Sequence, residues 1–82
     1  MVDIHSEISR NIMRLRREKA FTQEKLANEL ECSQAFINQI ETGMKDCNIT
    51  HIYKIASVFG CSIYQILPDI KITLETNSDD QS

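Results

Sequence analysis

Three amide side chains, Gln34, Asn38 and Gln39, lie close together in the chain, with Ser33 before them and Ala35 among them. An amide carries a donor and an acceptor side by side. That pattern pairs bidentately with the N6/N7 edge of adenine and is worth about 1–3 kcal/mol of discrimination per contact. Ala35, or an exposed Phe36, would suit the methyl group of thymine. No Lys or Arg occurs between Gln34 and Glu41, so the usual guanine-reading pair is missing and the chemistry favours A·T contact positions. For any one of these residues, simple solvation of a surface helix is an equal alternative. Three amides on one projecting face weigh against it.

The elements that must carry this face follow from spacing and caps. Ile4, Ile8, Ile12 and Leu15 recur at helical spacing and predict a first helix with one apolar stripe. Thr22 opens a second, its hydroxyl suited to accept from an orphan amide of the first turn. Glu24 there complements the helix dipole, and Phe21 with Leu26 fits a hydrophobic staple. Leu26, Ala27 and Leu30 are expected to face inward. Glu31-Cys32 leaves room only for a tight turn before Ser33 caps a third helix, with Ile37 and Ile40 inward. Gly43 ends that helix in a position suited to positive φ. Asn48 caps a fourth helix with Ile49, Ile52, Ile55, Ala56 and Phe59 as its apolar face and Gly60 as its stop. Ser62 caps a short fifth, Ile63 to Leu67, closed by Pro68. The expected fold class is therefore all-α with five helices. Ala27 is small enough for close helix crossing, which leaves the outer face of the third helix projecting and short enough for a major groove. Beyond Pro68, Ile70, Ile72 and Leu74 alternate with polar residues and suggest a short C-terminal strand; Thr76 to Ser82 is polar, acidic and expected to be disordered.

Composition excludes other classes. The 82 residues suffice for one domain, and the net charge is −3. Eight Lys or Arg balance eight Asp or Glu in residues 1–67, and one cation stands against four carboxylates in residues 68–82. The acidity belongs to the tail. A neutral body implies weak non-specific attraction to polyphosphate, since counterion release scales with the phosphates neutralised. No apolar run is long enough for a bilayer, and Met1-Val2-Asp3-Ile4-His5 lacks the pattern of a signal peptide, so a cytoplasmic location is expected. Three cysteines without C-x-x-C spacing form neither a zinc site nor a disulfide framework. Cys32, Cys47 and Cys61 each precede a cap, which suits small hydrophobes stapled to Ile37, Ile52 and Ile66; redox sensing is the rival reading. His5 and His51 stand apart from any acid, nucleophile or ligand partner, and no Gly-rich phosphate loop occurs. The expectation is a non-enzyme with no metal, no cofactor, no membrane contact and no evident small-molecule ligand, with His51 on the surface of the fourth helix.

The runs Arg14-Leu-Arg-Arg-Glu-Lys-Ala-Phe-Thr-Gln-Glu-Lys-Leu-Ala27, Cys32-Ser-Gln-Ala-Phe-Ile-Asn-Gln-Ile-Glu-Thr-Gly43 and Ile55-Ala-Ser-Val-Phe-Gly-Cys-Ser62 together resemble the phage repressor and Cro-like family of helix-turn-helix regulators. The resemblance covers about residues 8–67. It implies a five-helix, lambda-repressor-like domain at 1–67, with a C-terminal extension at 68–82. It also implies a homodimer on palindromic double-stranded DNA, acting as a repressor. By position, Gln34, Ala35, Asn38 and Gln39 would read bases, while Gln23, Ser33, Thr42 and Lys45 would approach the DNA backbone. Arg16 and Glu41 occupy the places of a structural ion pair that orients the reading helix. Two departures stand out. Glu31 replaces the usual Gly of the turn and would need a left-handed backbone, at a cost of about 1 kcal/mol. Cys47 stands where Pro is frequent.

Tyr64, Ile66, Leu67 and the Ile70 strand offer more apolar surface than so small a monomer needs to expose and are the expected dimer contacts. Arg10, Arg14 and Arg17 read best as solvated. A competing function is a protein-interaction module, antitoxin-like or a partner of another regulator, to which the neutral body and acidic tail give some support.

Overall fold

The computed structural model describes residues 3–68. They form α1 (Ile4–Glu18), α2 (Gln23–Leu30), α3 (Gln34–Glu41) and α4 (Ile49–Phe59), followed by one turn of 3-10 helix at Ile63–Gln65. Each element starts on a side-chain cap that satisfies an amide the helix cannot. Thr22 Oγ1 accepts from the Lys25 N–H at 2.9 Å, Ser33 Oγ from Phe36 at 3.1 Å, Asn48 Oδ1 from His51 at 2.9 Å and Ser62 Oγ from Tyr64 at 3.1 Å. Asp3 does the same for α1, a role that apolar spacing alone does not assign. Its carboxylate accepts from the Ser6 hydroxyl and the His5 N–H. These bonds, with Ser6 first, hold its carboxyl below the ordinary value.

The helix ends share one device. In each α-helix a residue just past the end donates five residues back, and its predecessor donates three back. The pairs are Phe21 to Arg16 with Ala20 to Arg17, Cys32 to Ala27 with Glu31 to Asn28, Met44 to Gln39 with Gly43 to Ile40, and Cys61 to Ala56 with Gly60 to Ser57. This is the Schellman arrangement, which requires a left-handed residue at the inner position. Gly43 and Gly60 supply it at φ +81° and +68°, whereas Ala20 and Glu31 adopt φ 60° and 57° despite their Cβ atoms.

The four helices enclose one core. Its fully buried large side chains are Ile12, Leu26, Ile37, Ile40, Ile55 and Ile66, and Phe21 meets Phe59 edge-on at 5.6 Å. α2 and α3 pack most extensively on each other, and α1 and α4 brace them. The sequence expectation of an all-α domain holds, with one correction. The fifth segment is a single 3-10 turn, not an α-helix, because only five residues separate the Ser62 cap from Pro68, and the residue before a proline is pushed out of helical geometry. No strand occurs among the described residues; the expected Ile70 strand lies outside them.

The burial pattern differs from the periodic reading at particular residues. Ile66 is 0% exposed. Its carbonyl takes a 2.9 Å hydrogen bond from Asn11 Nδ2, so the turn folds Ile66 back into the core. It therefore cannot serve as the dimer contact expected of it. Ile4 and Ile49, read as inward, are exposed; at 100° per residue Ile49 falls on the flank of the Ile52–Ile55–Phe59 stripe. Leu30 is half-buried.

Cys32, Cys47 and Cys61 are reduced and half-buried, packed against the core. Burial raises the Cys32 thiol and pushes that of Cys47 from 9.0 up to about 11. A sensor needs the opposite shift, because the thiolate is the reactive form. The packing role therefore fits all that is observed.

Two outcomes follow from these helix ends and thiols. Ala20→Gly and Glu31→Gly relieve about 1–2 kcal/mol of left-handed strain and give back about 0.4–1 kcal/mol of unfolded-state entropy. Each is expected to raise stability by roughly 0.5–1 kcal/mol in urea denaturation, while Gly60→Ala lowers it. For Cys47, the folded protein holds its proton more tightly than the unfolded chain does. The stabilisation is therefore complete below pH 9 and is lost as pH rises toward 11. Urea midpoints of the wild type are expected to fall more steeply over that window than those of Cys47→Ala.

Candidate nucleic-acid interface

The site begins with a buried ion pair. Arg16, on α1, sends its guanidinium to the end of α3, where Nε donates to Glu41 Oε2 at 2.6 Å and Nη2 to Oε1 at 3.1 Å. The third nitrogen, Nη1, donates to the Phe21 carbonyl at 2.7 Å, in the link between α1 and α2. Gln23, the first residue of α2, adds a bond from Nε2 to Glu41 Oε1 at 3.0 Å. The Glu41 side chain is 2% exposed and that of Arg16 is 11%. A carboxylate on the last turn of a helix faces the negative end of the dipole and would be costly to bury alone. The bidentate guanidinium and the amide offset both penalties. One cluster thus ties α1, the start of α2 and the end of α3 together.

That tether fixes which side of α3 faces out. Ile37, Ile40 and Glu41 are buried, while Gln34, Ala35 and Asn38 are exposed and Gln39 is half-buried. At 100° per residue, Gln34, Ala35, Asn38, Gln39 and Thr42 share one arc opposite the buried one. None of the side-chain hydrogen bonds among the described residues uses the amides of Gln34, Asn38 or Gln39. Their donors and acceptors are open to a partner. The Gln39 carbonyl takes the N–H groups of Met44 and Lys45, which fixes the loop beyond α3 against the helix.

The residues assigned to the DNA backbone are placed less uniformly. Ser33 spends an acceptor on the Phe36 amide and keeps its O–H. Thr42 donates its hydroxyl to the Asn38 carbonyl at 2.9 Å and so can only accept from a partner. Gln23 has one amide hydrogen engaged by Glu41; an NH2 group carries a second. Exposed Lys45 lies with Nζ 5.5 Å from the centre of the Phe36 ring, a cation–π distance that holds the ammonium beside α3. The dimer assignments scatter. Tyr64 is 78% exposed, Leu67 half-buried and Ile66 buried, and Ile70 lies outside the described residues.

Two features escaped sequence reasoning. Phe36 is half-buried, not exposed, and packs at 5.0 Å against His51, which turns toward α3 instead of outward. Tyr53 is 57% exposed beside Ile49 at 55%. Their i, i+4 spacing was the available signal for an outward apolar pair.

A helix-turn-helix family model matches residues 12–66, from buried Ile12 of α1 to buried Ile66. The chain belongs to the phage-repressor and Cro-like helix-turn-helix family. It is 29% identical over 66 residues to an uncharacterised helix-turn-helix transcriptional regulator of Sinorhizobium fredii, covering 80% of this chain and 86% of that one. The hypothetical transcription factor NHTF from Neisseria superposes with a TM-score of 0.76 at 23% identity, over 90% of this chain and 85% of that one. The restriction-modification controller protein C.AhdI from Aeromonas hydrophila does so with a TM-score of 0.71 at 19% identity, over 76% and 94%. At these identities the two structures establish the fold. In this helix-turn-helix protein no helix of the described residues is long and apolar enough to cross a membrane, and they contain no group of side chains suited to a metal ion.

The Arg16–Glu41 cluster makes an energetic demand. Arg16→Met leaves a buried carboxylate unpaired and is expected to cost about 3–5 kcal/mol, whereas Arg16→Met with Glu41→Leu recovers most of that loss. Denaturation midpoints for the single and double variants check this; equal destabilisation would show that the charges do not depend on each other.

Proposed function

We propose that this DNA-binding transcriptional regulator acts as a homodimeric, sequence-specific repressor on a palindromic operator, with α3 in the major groove. The observation that carries the reading is the outward arc of exposed Gln34, Ala35 and Asn38 with half-buried Gln39, on a helix whose last turn is locked by Glu41. An amide with no partner in its own protein, held on a rigid element, is suited to a base edge. Gln23, Ser33, Thr42 and Lys45 flank that arc as backbone contacts that set register and carry no sequence information themselves. That C.AhdI is a restriction-modification controller protein is in keeping with a small regulator of this kind.

In the dimer, exposed Tyr64 with Leu67 supplies the two-fold contact, and the reading helices stand about 34–36 Å apart, one turn of the duplex. The absence of Lys and Arg from α3 points to A·T-containing contact positions. The neutral body places more of the affinity in base contacts than in phosphate attraction.

Selection from a random duplex pool, followed by mobility shift at several salt concentrations, tests the proposal. A palindrome with salt-sensitive retardation is expected. Gln34→Ala and Gln39→Ala should each cost about 1–3 kcal/mol and relax preference at one operator position, whereas Lys45→Ala should weaken all sequences alike. Unchanged affinity in both glutamine variants would remove α3 as the reader. No retardation even at low salt would favour the protein-interaction module instead.

A further inference from the structure

Two directional tethers leave α1. Arg16 fixes the end of α3 through Glu41. Asn11 Nδ2 donates to the Ile66 carbonyl at 2.9 Å, across 55 positions of the chain. Five residues separate Asn11 from Arg16, which is about 7.5 Å along a helix axis and about 140° around it. The tethers therefore leave α1 in different directions, one toward α3 and the other toward the 3-10 turn that follows α4.

The turn at Ile63–Gln65 depends on the second tether for its direction. A 3-10 helix has poorer hydrogen-bond geometry than an α-helix and is used in short pieces. Ser62 caps its start, and the Ile66 side chain is fully buried. That burial is non-directional and lets the turn roll about its anchor. The Ile66 carbonyl lies at the end of the turn, where a helix leaves its acceptors unpaired, and Pro68 follows without an N–H. Half-buried Asn11 supplies the donor and with it a direction. Tyr64, 78% exposed, stands two residues before that bond and turns with it.

We infer that Asn11 is a positioning residue for operator recognition. By holding the turn that presents Tyr64, it sets the angle between the two-fold contact and α3, and so the half-site spacing that the dimer accepts. The inference rests on the homodimer reading above, with Tyr64 at the two-fold contact. Distance magnifies any error at that contact. Over the roughly 34–36 Å between reading helices, a roll of about 10° shifts one helix against the other by about 6 Å, nearly two base-pair steps of about 3.4 Å.

The test uses the full chain and three duplexes: the selected palindrome, the same palindrome with one base pair inserted at its centre, and a single half-site. Sedimentation gives the oligomeric state of the wild type, which is expected to be a dimer. Asn11→Leu nearly keeps the side-chain volume and removes the donor; Asn11→Ala removes it without the added apolar branch. Both variants should bind the half-site within about twofold of the wild type, as a folded reading unit must. Their affinity for the palindrome should fall about fivefold, the size of one neutral hydrogen bond, and their penalty for the inserted base pair should shrink by a similar factor. A residue that only stabilised the fold would weaken half-site and palindrome alike. The inference is overturned if half-site and palindrome weaken together, or if both variants keep the wild-type palindrome affinity and spacing penalty while the wild type is a dimer. A monomeric wild type overturns the homodimer reading and this inference with it, so the two failures are told apart by sedimentation.

Discussion

The orientation of α3 in this domain depends on one buried ion pair. Arg16 has three guanidinium nitrogens in a fixed fork, and each is used: two on the Glu41 carboxylate and one on the Phe21 carbonyl. A lysine could not span those acceptors with a single ammonium. Because Glu41 closes α3 and Gln23 opens α2, the cluster fixes both ends of the helix-turn-helix relative to α1. Hydrophobic contact between α2 and α3 is non-directional and would tolerate some rotation. A bidentate pair at 2.6 and 3.1 Å tolerates far less, and a rotated α3 would carry its amides off the outward arc.

The second constraint is economy of chain. Four helices end by the same pair of backbone bonds, and after α1, α2 and α4 the next cap follows two residues past the left-handed position, so those links are short. At those three ends the residue after the left-handed position turns back toward the core in the same motion, which is why Phe21, Cys32 and Cys61 are partly buried there, whereas Met44 after Gly43 is exposed. Cysteine in two of these places supplies modest apolar volume without the reach of a larger side chain. Glycine is used at only two of the four left-handed positions. The link after α2, which joins the two halves of the DNA-binding motif, carries strained Glu31 instead.

The outward face follows from these two constraints and not from charge. A basic recognition helix would attract any duplex; α3 has no cation, and its neighbour Lys45 is held over the Phe36 ring. Phe36 in turn leans on His51 of α4. Through this ring α3 is coupled to the fourth helix as well as to the first.

Much of this was legible in the residues themselves. Caps at Thr22, Ser33, Asn48 and Ser62, stops at Gly43 and Gly60, and the apolar stripes of α1 and α4 are bonds and spacings within a few positions, so local sequence determines them. That Glu31 is left-handed followed from the family resemblance and not from local spacing, and left-handed Ala20 carried no such signal. What the chain could not settle alone was which partly apolar residues meet a distant segment. Ile66 goes in because Asn11, on α1, takes its carbonyl; Ile49 stays out on the flank of its own stripe; His51 turns toward Phe36; and Gln23 finds Glu41. Each outcome depends on where another helix lies, and position along one helix carries no information about that. The physical reason is range: a hydrogen-bonded cap is decided within a turn, whereas burial is decided by the packing of all four helices at once.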